Sequence, residues 1–383
     1  MQDEITRIAG LFESEDLNRP VYRADEVPHS YGAITDAWLT DVICRDVPGA
    51  HVLSHSFDER DDGSSNRRRI FLTYDAAGEK AGLPATVFCK AAETLNNRLV
   101  LGLSRAAQIE TDFYNKVRGR LEIEAPEGIY ARFDPENFAS LIMLRDLGGS
   151  AQFCDDRTEI TRELAEQQIR TLAALHSRFY ESPELGSETL PFIPWPAWWA
   201  RMMAASPDFE ACCDKAFGDS EDLMPARLYA RRAEIWDATM KSVEAHKALP
   251  QTVIHCDVHL KNWYIASNGR MGLSDWQIAS VGHWSRDLIY TLTTALTIEN
   301  RRAWEKDLVA LYLDLMEQAG VPREPIDQVW RSLRQQLMTA LAFWTITLVP
   351  ASGMPDMQPL RTTREFLRRL LTAIDDHAAL DSF

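Results

Sequence analysis

The sequence is poor in basic residues, in apolar runs of membrane length and in cysteines at ligand spacing. Lys and Arg number 41 against 57 Asp and Glu, a formal net charge of −16. Nucleic acids and anionic membranes both need a basic face, so neither is expected as a main partner. The acidity permits a cationic substrate, although it serves solubility equally well. The longest uncharged run is 335–355, and its dense apolar part, Leu337 to Val349, stops at Pro350. That part is too short to span a bilayer and reads as a buried helix. The cysteines are Cys44, Cys89, Cys154, Cys212, Cys213 and Cys256, with no metal-ligand spacing among them. The adjacent pair Cys212-Cys213 reads as incidental. The opening MQDEITRIAG has neither the basic region nor the apolar core of a signal peptide, so a reduced, cytoplasmic setting is expected. Internal repeats, low-complexity segments and a G-x-G-x-x-G phosphate loop are also absent.

What is present is an ordinary globular composition, 45% hydrophobic and 26% charged over 383 residues, long enough for two lobes with separate cores. One stretch organises the chain, Ile254 to Gln277. A loop carrying His255, Asp257 and Asn262 runs into a hairpin whose turn is Asn268-Gly269. Both turn residues tolerate positive φ, which favours a two-residue type I′ turn. That register sets Ala266 opposite Met271, Ile265 opposite Gly272 and Asn262 opposite Asp275. Two hard oxygen ligands meeting at the open end of a hairpin suit a Mg²⁺ ion that also takes phosphate oxygens. Asp257, five residues before Asn262, can reach a hydroxyl held beside that metal.

The pattern His255-x-Asp257-x-x-x-x-Asn262, followed by Asp275-Trp276-Gln277, resembles the catalytic segment of the protein-kinase-like fold. With His259 inside the loop, it is similar to the aminoglycoside phosphotransferase family, and more narrowly to its ecdysteroid-kinase-like (CHK-kinase-like) relatives, all small-molecule kinases. Cys256 stands where that family usually has Gly. The resemblance implies Asp257 as the catalytic residue and Asn262 and Asp275 as metal ligands. It also implies ATP or GTP with Mg²⁺, and a small-molecule hydroxyl acceptor. Lys90 ends a strand, PATVFCKA, where a lysine can pair with the α/β-phosphates; Glu110, in QIETDFY on the next helix, is its expected partner. Gly63, Ser64 and Ser65 lie between two predicted strands, where backbone N–H groups can meet phosphate. Leu144, Arg145 and Asp146 fall at the hinge that would bind adenine. His176, in LAALHSRFY, and Asp287, before an apolar helix, are implied to be structural.

The expected class is therefore α+β, two-lobed and protein-kinase-like: an antiparallel sheet with a helix, then a mostly helical lobe. Residues 1–147 would form the nucleotide-binding lobe, with 1–30 as an extension, and 148–383 the helical lobe with the acceptor pocket. Helical stripes are expected at Trp38, Leu39, Val42 and Ile43, at Ile109, Phe113 and Val117, and at Trp304, Leu308, Leu311, Tyr312 and Leu315. Trp195, Trp198, Trp199, Met202 and Met203 also recur at helical spacing, as core or as one wall of an apolar pocket. The second option motivates an apolar or aromatic alcohol as acceptor. An aminoglycoside or other antibiotic is the alternative. A nucleotide-binding scaffold without turnover is a third reading, opposed by the full set of five polar residues. Oligomeric state is not encoded in any feature.

Overall fold

The computed structural model describes residues 2–352, 354 and 356–383. The chain divides into two compact units, Met1–Arg120 with Pro126–Gly149, and Leu121–Ala125 with Ser150–Phe383.

In the first unit, α1 (Gln2–Ser14) and α2 (Asp36–Ile43) precede the strands β1 (Val52–Phe57), β2 (Asp61–Asp62) and β3 (Asn66–Tyr74). Then come α3 (Ala76–Lys80), β4 (Thr86–Ala91), α4 (Leu95–Leu103), α5 (Ala106–Asp112), β5 (Gly128–Phe133) and β6 (Ser140–Arg145). The strands form one antiparallel sheet in the order β1-β3-β4-β6-β5, with β2 paired to β3. Alternation decides the faces: Ile70, Leu72 and Tyr74 of β3 and Val87, Cys89 and Ala91 of β4 point to the core. That face is covered by Trp38, Leu39, Val42 and Ile43 of α2, the stripe expected from the sequence. Thr35 caps this helix, its hydroxyl accepting from Trp38 N at 3.1 Å. Lys90 lies between Cys89 and Ala91 in β4 and pairs with Glu110 of α5. Beyond Asp112 the expected single helix widens to a π-helical stretch, Phe113–Val117, whose Phe113, Tyr114 and Val117 are buried. The sequence reading missed α4, which Thr94 caps by accepting from Asn97 N.

In the second unit, β7 (Ala151–Phe153) is followed by α6 (Arg162–Phe179), α7 (Trp195–Ala205), α8 (Phe209–Asp219), α9 (Ala226–Tyr229) and α10 (Ile235–Ala245). Four short strands come next: β8 (Thr252–Ile254), β9 (Trp263–Ala266), β10 (Met271–Leu273) and β11 (Ser280–Gly282). Four helices complete the chain: α11 (Ser285–Ala295), α12 (Ile298–Gln318), α13 (Ile326–Leu348) and α14 (Leu360–Asp376). The strands form a β10-β9-β7 sheet and a β11-β8 pair. Segment 121–125 joins this unit because Glu124 O accepts from Leu273 N at 3.0 Å and its carboxylate from Tyr264 Oη at 3.1 Å. Every residue of α11 is buried, which places that helix at the centre of the helical core. The apolar run from Leu337 is the second half of α13, as expected for a buried helix. The inner face of α12 differs from the expected stripe: Leu308 and Tyr312 are buried, but with Val309, Leu313 and Met316 in place of Trp304, Leu311 and Leu315. Among the described residues, no helix is long and apolar enough to cross a membrane.

The tryptophan stripe of α7 is core. Trp195, Trp198 and Trp199 are buried, with Trp195 stacked on Trp198 at 5.3 Å and all three against Phe343 of α13. The pocket-wall alternative fails for these indoles because α13 covers the face they present. Met202 and Met203 are half-buried.

Candidate active site

β8 delivers the chain into the loop 255–262, and Asp287 on α11 holds its first turn. One carboxylate oxygen of Asp287 accepts from His255 N at 2.6 Å and the other from Cys256 N at 2.9 Å. His176 braces Asp287 from α6, with Nε2 at 3.3 Å, while its Nδ1 meets Tyr312 Oη at 2.8 Å. Burial pushes the Asp287 carboxyl up, but the hydrogen bond and charge of His176, with His255, bring it below the ordinary range. This clamp matters because Cys256 sits at φ +70°, a left-handed conformation that costs a non-glycine residue roughly 1–2 kcal/mol. Glycine would adopt it freely. Arg286 adds a third tie: Nη2 donates to Cys256 O at 3.1 Å, and the guanidinium stacks over Trp195 at 3.8 Å.

The clamped loop presents Asp257, half-buried. Its main-chain N–H donates to His255 Nδ1 at 3.2 Å. Oδ2 accepts from Asn262 Nδ2 at 3.3 Å and lies 3.5 Å from His259 Nε2. Oδ1 is 3.3 Å from Tyr290 Oη. Burial pushes this carboxyl up, but His259 beside it, with His255 and Arg286, outweighs burial and brings it down to about 2. An ionised carboxylate of this kind can accept a hydrogen bond from an alcohol and orient it; it takes the proton only as the alcohol oxygen loses electron density.

The hairpin has a different register from the one expected. Met271 pairs with Ile265, Gly272 with Tyr264 and Leu273 with Trp263. The loop holds three residues, Ser267-Asn268-Gly269, closed by Ala266 N donating to Arg270 O at 2.9 Å. Gly269 is at φ +78°, whereas Asn268 is not at positive φ, so the turn is the three-residue form with a left-handed glycine and not type I′. Asn262 consequently faces Ser274: its carbonyl accepts from Ser274 N at 2.8 Å and Ser274 Oγ at 3.0 Å. Asp275 follows at φ +67° and is half-buried. Asn262 spends its Nδ2 on Asp257, donating to the main-chain oxygen at 2.7 Å as well as to Oδ2. Its side-chain oxygen is thereby turned away from Asp257. Among the described residues, no three His, Cys, Asp or Glu side chains are grouped to hold a metal. Asn262 Oδ1 and the Asp275 carboxylate are hard oxygen donors, the kind of group Mg²⁺ takes together with phosphate and water.

In the first unit, Lys90 Nζ donates to both oxygens of Glu110, at 2.9 and 2.8 Å, with the two side chains only 10% and 3% exposed. This fixes the ammonium at the end of β4. Gly63, Ser64 and Ser65 form the turn between β2 and β3. Gly63 N already donates to Ser65 O at 3.0 Å, so that N–H is engaged within the turn. Asn97 of α4 pins the same turn, its Nδ2 donating to Gly63 O and Ser64 O at 2.8 Å. The sequence reading did not single out Asn97; the Thr94 cap signal that marks its helix is the clue it passed over. Leu144 and Arg145 end β6, with Arg145 N donating to Glu127 O at 2.9 Å. Asp146 just beyond accepts from Arg69 Nε at 3.0 Å and from Gly148 N at 2.8 Å.

The phosphotransferase enzyme family matches residues 94–324, more than half of the chain. The chain belongs to that family. It is a small-molecule kinase by that membership. No curated protein matches the phosphotransferase. Among solved structures, it is similar to the choline kinase of Streptococcus pneumoniae, at 14% identity, with 90% of this chain and 98% of that chain covered and a TM-score of 0.46. It is similar also to the macrolide 2'-phosphotransferase of Brachybacterium faecium, at 13% identity, covering 82% and 92%, with a TM-score of 0.45. A third is the ethanolamine kinase of Plasmodium vivax, at 13% identity, covering 84% and 82%, with a TM-score of 0.44.

Proposed function

We propose that this phosphotransferase moves the γ-phosphoryl group of ATP or GTP to a hydroxyl of a small molecule, with Asp257 as its catalytic residue. The observation that carries this reading is the state of Asp257: an ionised carboxylate, held on both oxygens, five residues from an asparagine whose amide is spent on it. The acceptor oxygen bonds to the γ-phosphorus, the bond from that phosphorus to the bridging oxygen breaks, and the hydroxyl proton passes to Asp257. Asn262 and Asp275 would hold Mg²⁺, which neutralises phosphate charge when bound. Lys90, braced by Glu110, would hold the α/β-phosphates; the turn at Gly63, Ser64 and Ser65 would cover phosphate; Leu144, Arg145 and Asp146 would receive the base. Positioning and charge stabilisation supply most of such a rate, so losing Asp257 should cost about 10²–10⁴-fold in turnover.

The apolar or aromatic alcohol loses its motive with the indoles of α7 packed inside, so the acceptor is assigned only as a hydroxyl compound. A cationic acceptor of the aminoglycoside kind is the second reading, favoured by the net charge of −16. A mass-shift screen of hydroxylated metabolites and antibiotics with Mg·ATP tests both. A product 80 Da heavier (one HPO₃, roughly), formed by the wild type and not by Asp257→Ala, is expected. Equal product from both proteins would remove Asp257 from the mechanism.

A further inference from the structure

Tyr290 lies on α11, wholly inside the fold, and its hydroxyl is caught between two partners. Trp344 Nε1 is 2.8 Å from Tyr290 Oη, and Asp257 Oδ1 is 3.3 Å away on the other side. An indole N–H can only donate, so it fills an acceptor site on the phenol oxygen. The single phenol proton then points to the carboxylate. The direction of the chain is fixed: Trp344 to Tyr290 to Asp257. Burial, and then the Asp257 charge, keep Tyr290 protonated far above ordinary pH, so the donor is never lost in working conditions.

We propose that Tyr290, itself aligned by Trp344, is a positioning residue that fixes the rotation of the Asp257 carboxylate. The inference rests on the reading of Asp257 as the catalytic residue. One carboxylate oxygen is held by Asn262 Nδ2 and approached by His259, the other by Tyr290, so the plane is defined from both edges. A carboxylate that turns about its Cβ–Cγ bond spends less time in line with the acceptor hydroxyl. Loss of one edge therefore lowers turnover, while nucleotide affinity, which other residues set, stays the same. A tyrosine hydroxyl placed only to satisfy the core would show the reverse: stability falls and turnover per folded molecule does not.

The test uses the full-length protein with Mg·ATP and water as the acceptor, following phosphate release. Water's oxygen bonds to the γ-phosphorus, ADP leaves, and the water proton passes through Asp257 to solvent. Tyr290→Phe should lower kcat per folded molecule about tenfold, the effect of one charge-assisted hydrogen bond, with KM for ATP nearly unchanged; its thermal midpoint falls modestly because Trp344 Nε1 loses its acceptor. Trp344→Phe keeps the phenol but frees its orientation and should lower kcat a few-fold, which also covers the case of a poorly folding Tyr290→Phe. Asp257→Ala should lower it at least 100-fold, a control estimated roughly from the loss of a catalytic acid–base group. Wild-type kcat in both Tyr290→Phe and Trp344→Phe, with Asp257→Ala inactive, overturns the positioning role and leaves Asp257 in place. Wild-type hydrolysis by Asp257→Ala overturns the catalytic reading and the inference with it.

Discussion

Removing the Glu110 carboxylate should unfold the sheet of the first unit more readily than any surface change, and the size follows from the geometry. Lys90 donates to both Glu110 oxygens at 2.9 and 2.8 Å, and the side chains are 10% and 3% exposed. Little solvent reaches the pair, so the ammonium keeps most of its desolvation cost once the Glu110 carboxylate is gone. Breaking such a buried pair from one side costs roughly 3–5 kcal/mol, because desolvation remains and the attraction does not. Glu110→Ala and Lys90→Met should each lose about that much. Lys90→Met combined with Glu110→Leu should lose less than the two single losses together, since the desolvation of both charges goes with them. Native-state hydrogen exchange at the amides of β3 and β4 reads this locally and does not require the two units to unfold together. All three variants should lack turnover, whatever their stability. The reasoning fails if Glu110→Ala costs less than about 1 kcal/mol, or if the double variant loses the sum of the single losses.

Asp287 accepts one main-chain N–H on each oxygen, so Asp287→Asn must set its NH₂ against a donor; a loss of about 2–4 kcal/mol in urea unfolding is expected, with turnover falling in parallel. Cys256→Gly should stay within about 1 kcal/mol of wild type and keep its activity, whereas Cys256→Val, branched at φ +70°, should lose about 2 kcal/mol or more. His246 is fully buried with Nε2 accepting from His283 N at 2.7 Å; burial first, then the charge of His283, lowers its pKa from 6.5 to about 3. The unfolded chain therefore binds a proton that the folded chain refuses. Stability should be complete above pH 6.5 and fall by about 1.4 kcal/mol per pH unit from this residue as pH drops towards 4, a slope that His246→Asn should reduce.

The stretch proposed as catalytic was readable as geometry because it is local: Asp257 and Asn262 sit in one loop, and a hairpin must bring Asp275 back beside that loop whichever turn closes it. The turn type was not readable. Asn268-Gly269 satisfies both a two-residue turn and a three-residue turn with glycine at the left-handed position, and pairing with β7 on the far side of β9 gives the second register a larger sheet to join. The α2 stripe was legible because its burial is one-sided. The α7 stripe was ambiguous for the opposite reason: spacing marks Trp195, Trp198 and Trp199 as one face but is silent about Phe343, some 140 residues later, which covers them. On α12 the expected stripe was displaced because Glu305 turns inward to Arg301, a buried ion pair that hydrophobic periodicity cannot register. Tyr290 carried a signal, its place beside Asp287 in an apolar helix, but its link to Trp344 joins α11 to α13 and exists only in three dimensions.

The central claim is that Asn262 and Asp275 hold the metal of a bound nucleotide beside Asp257. Crystals grown with Mn²⁺ in place of Mg²⁺ and a non-hydrolysable ATP analogue test it directly through the anomalous signal of manganese. The account predicts a peak about 2.0–2.3 Å from both Asn262 Oδ1 and an Asp275 carboxylate oxygen, with phosphate oxygens completing the shell. Nucleotide bound with its manganese remote from these two side chains would contradict it.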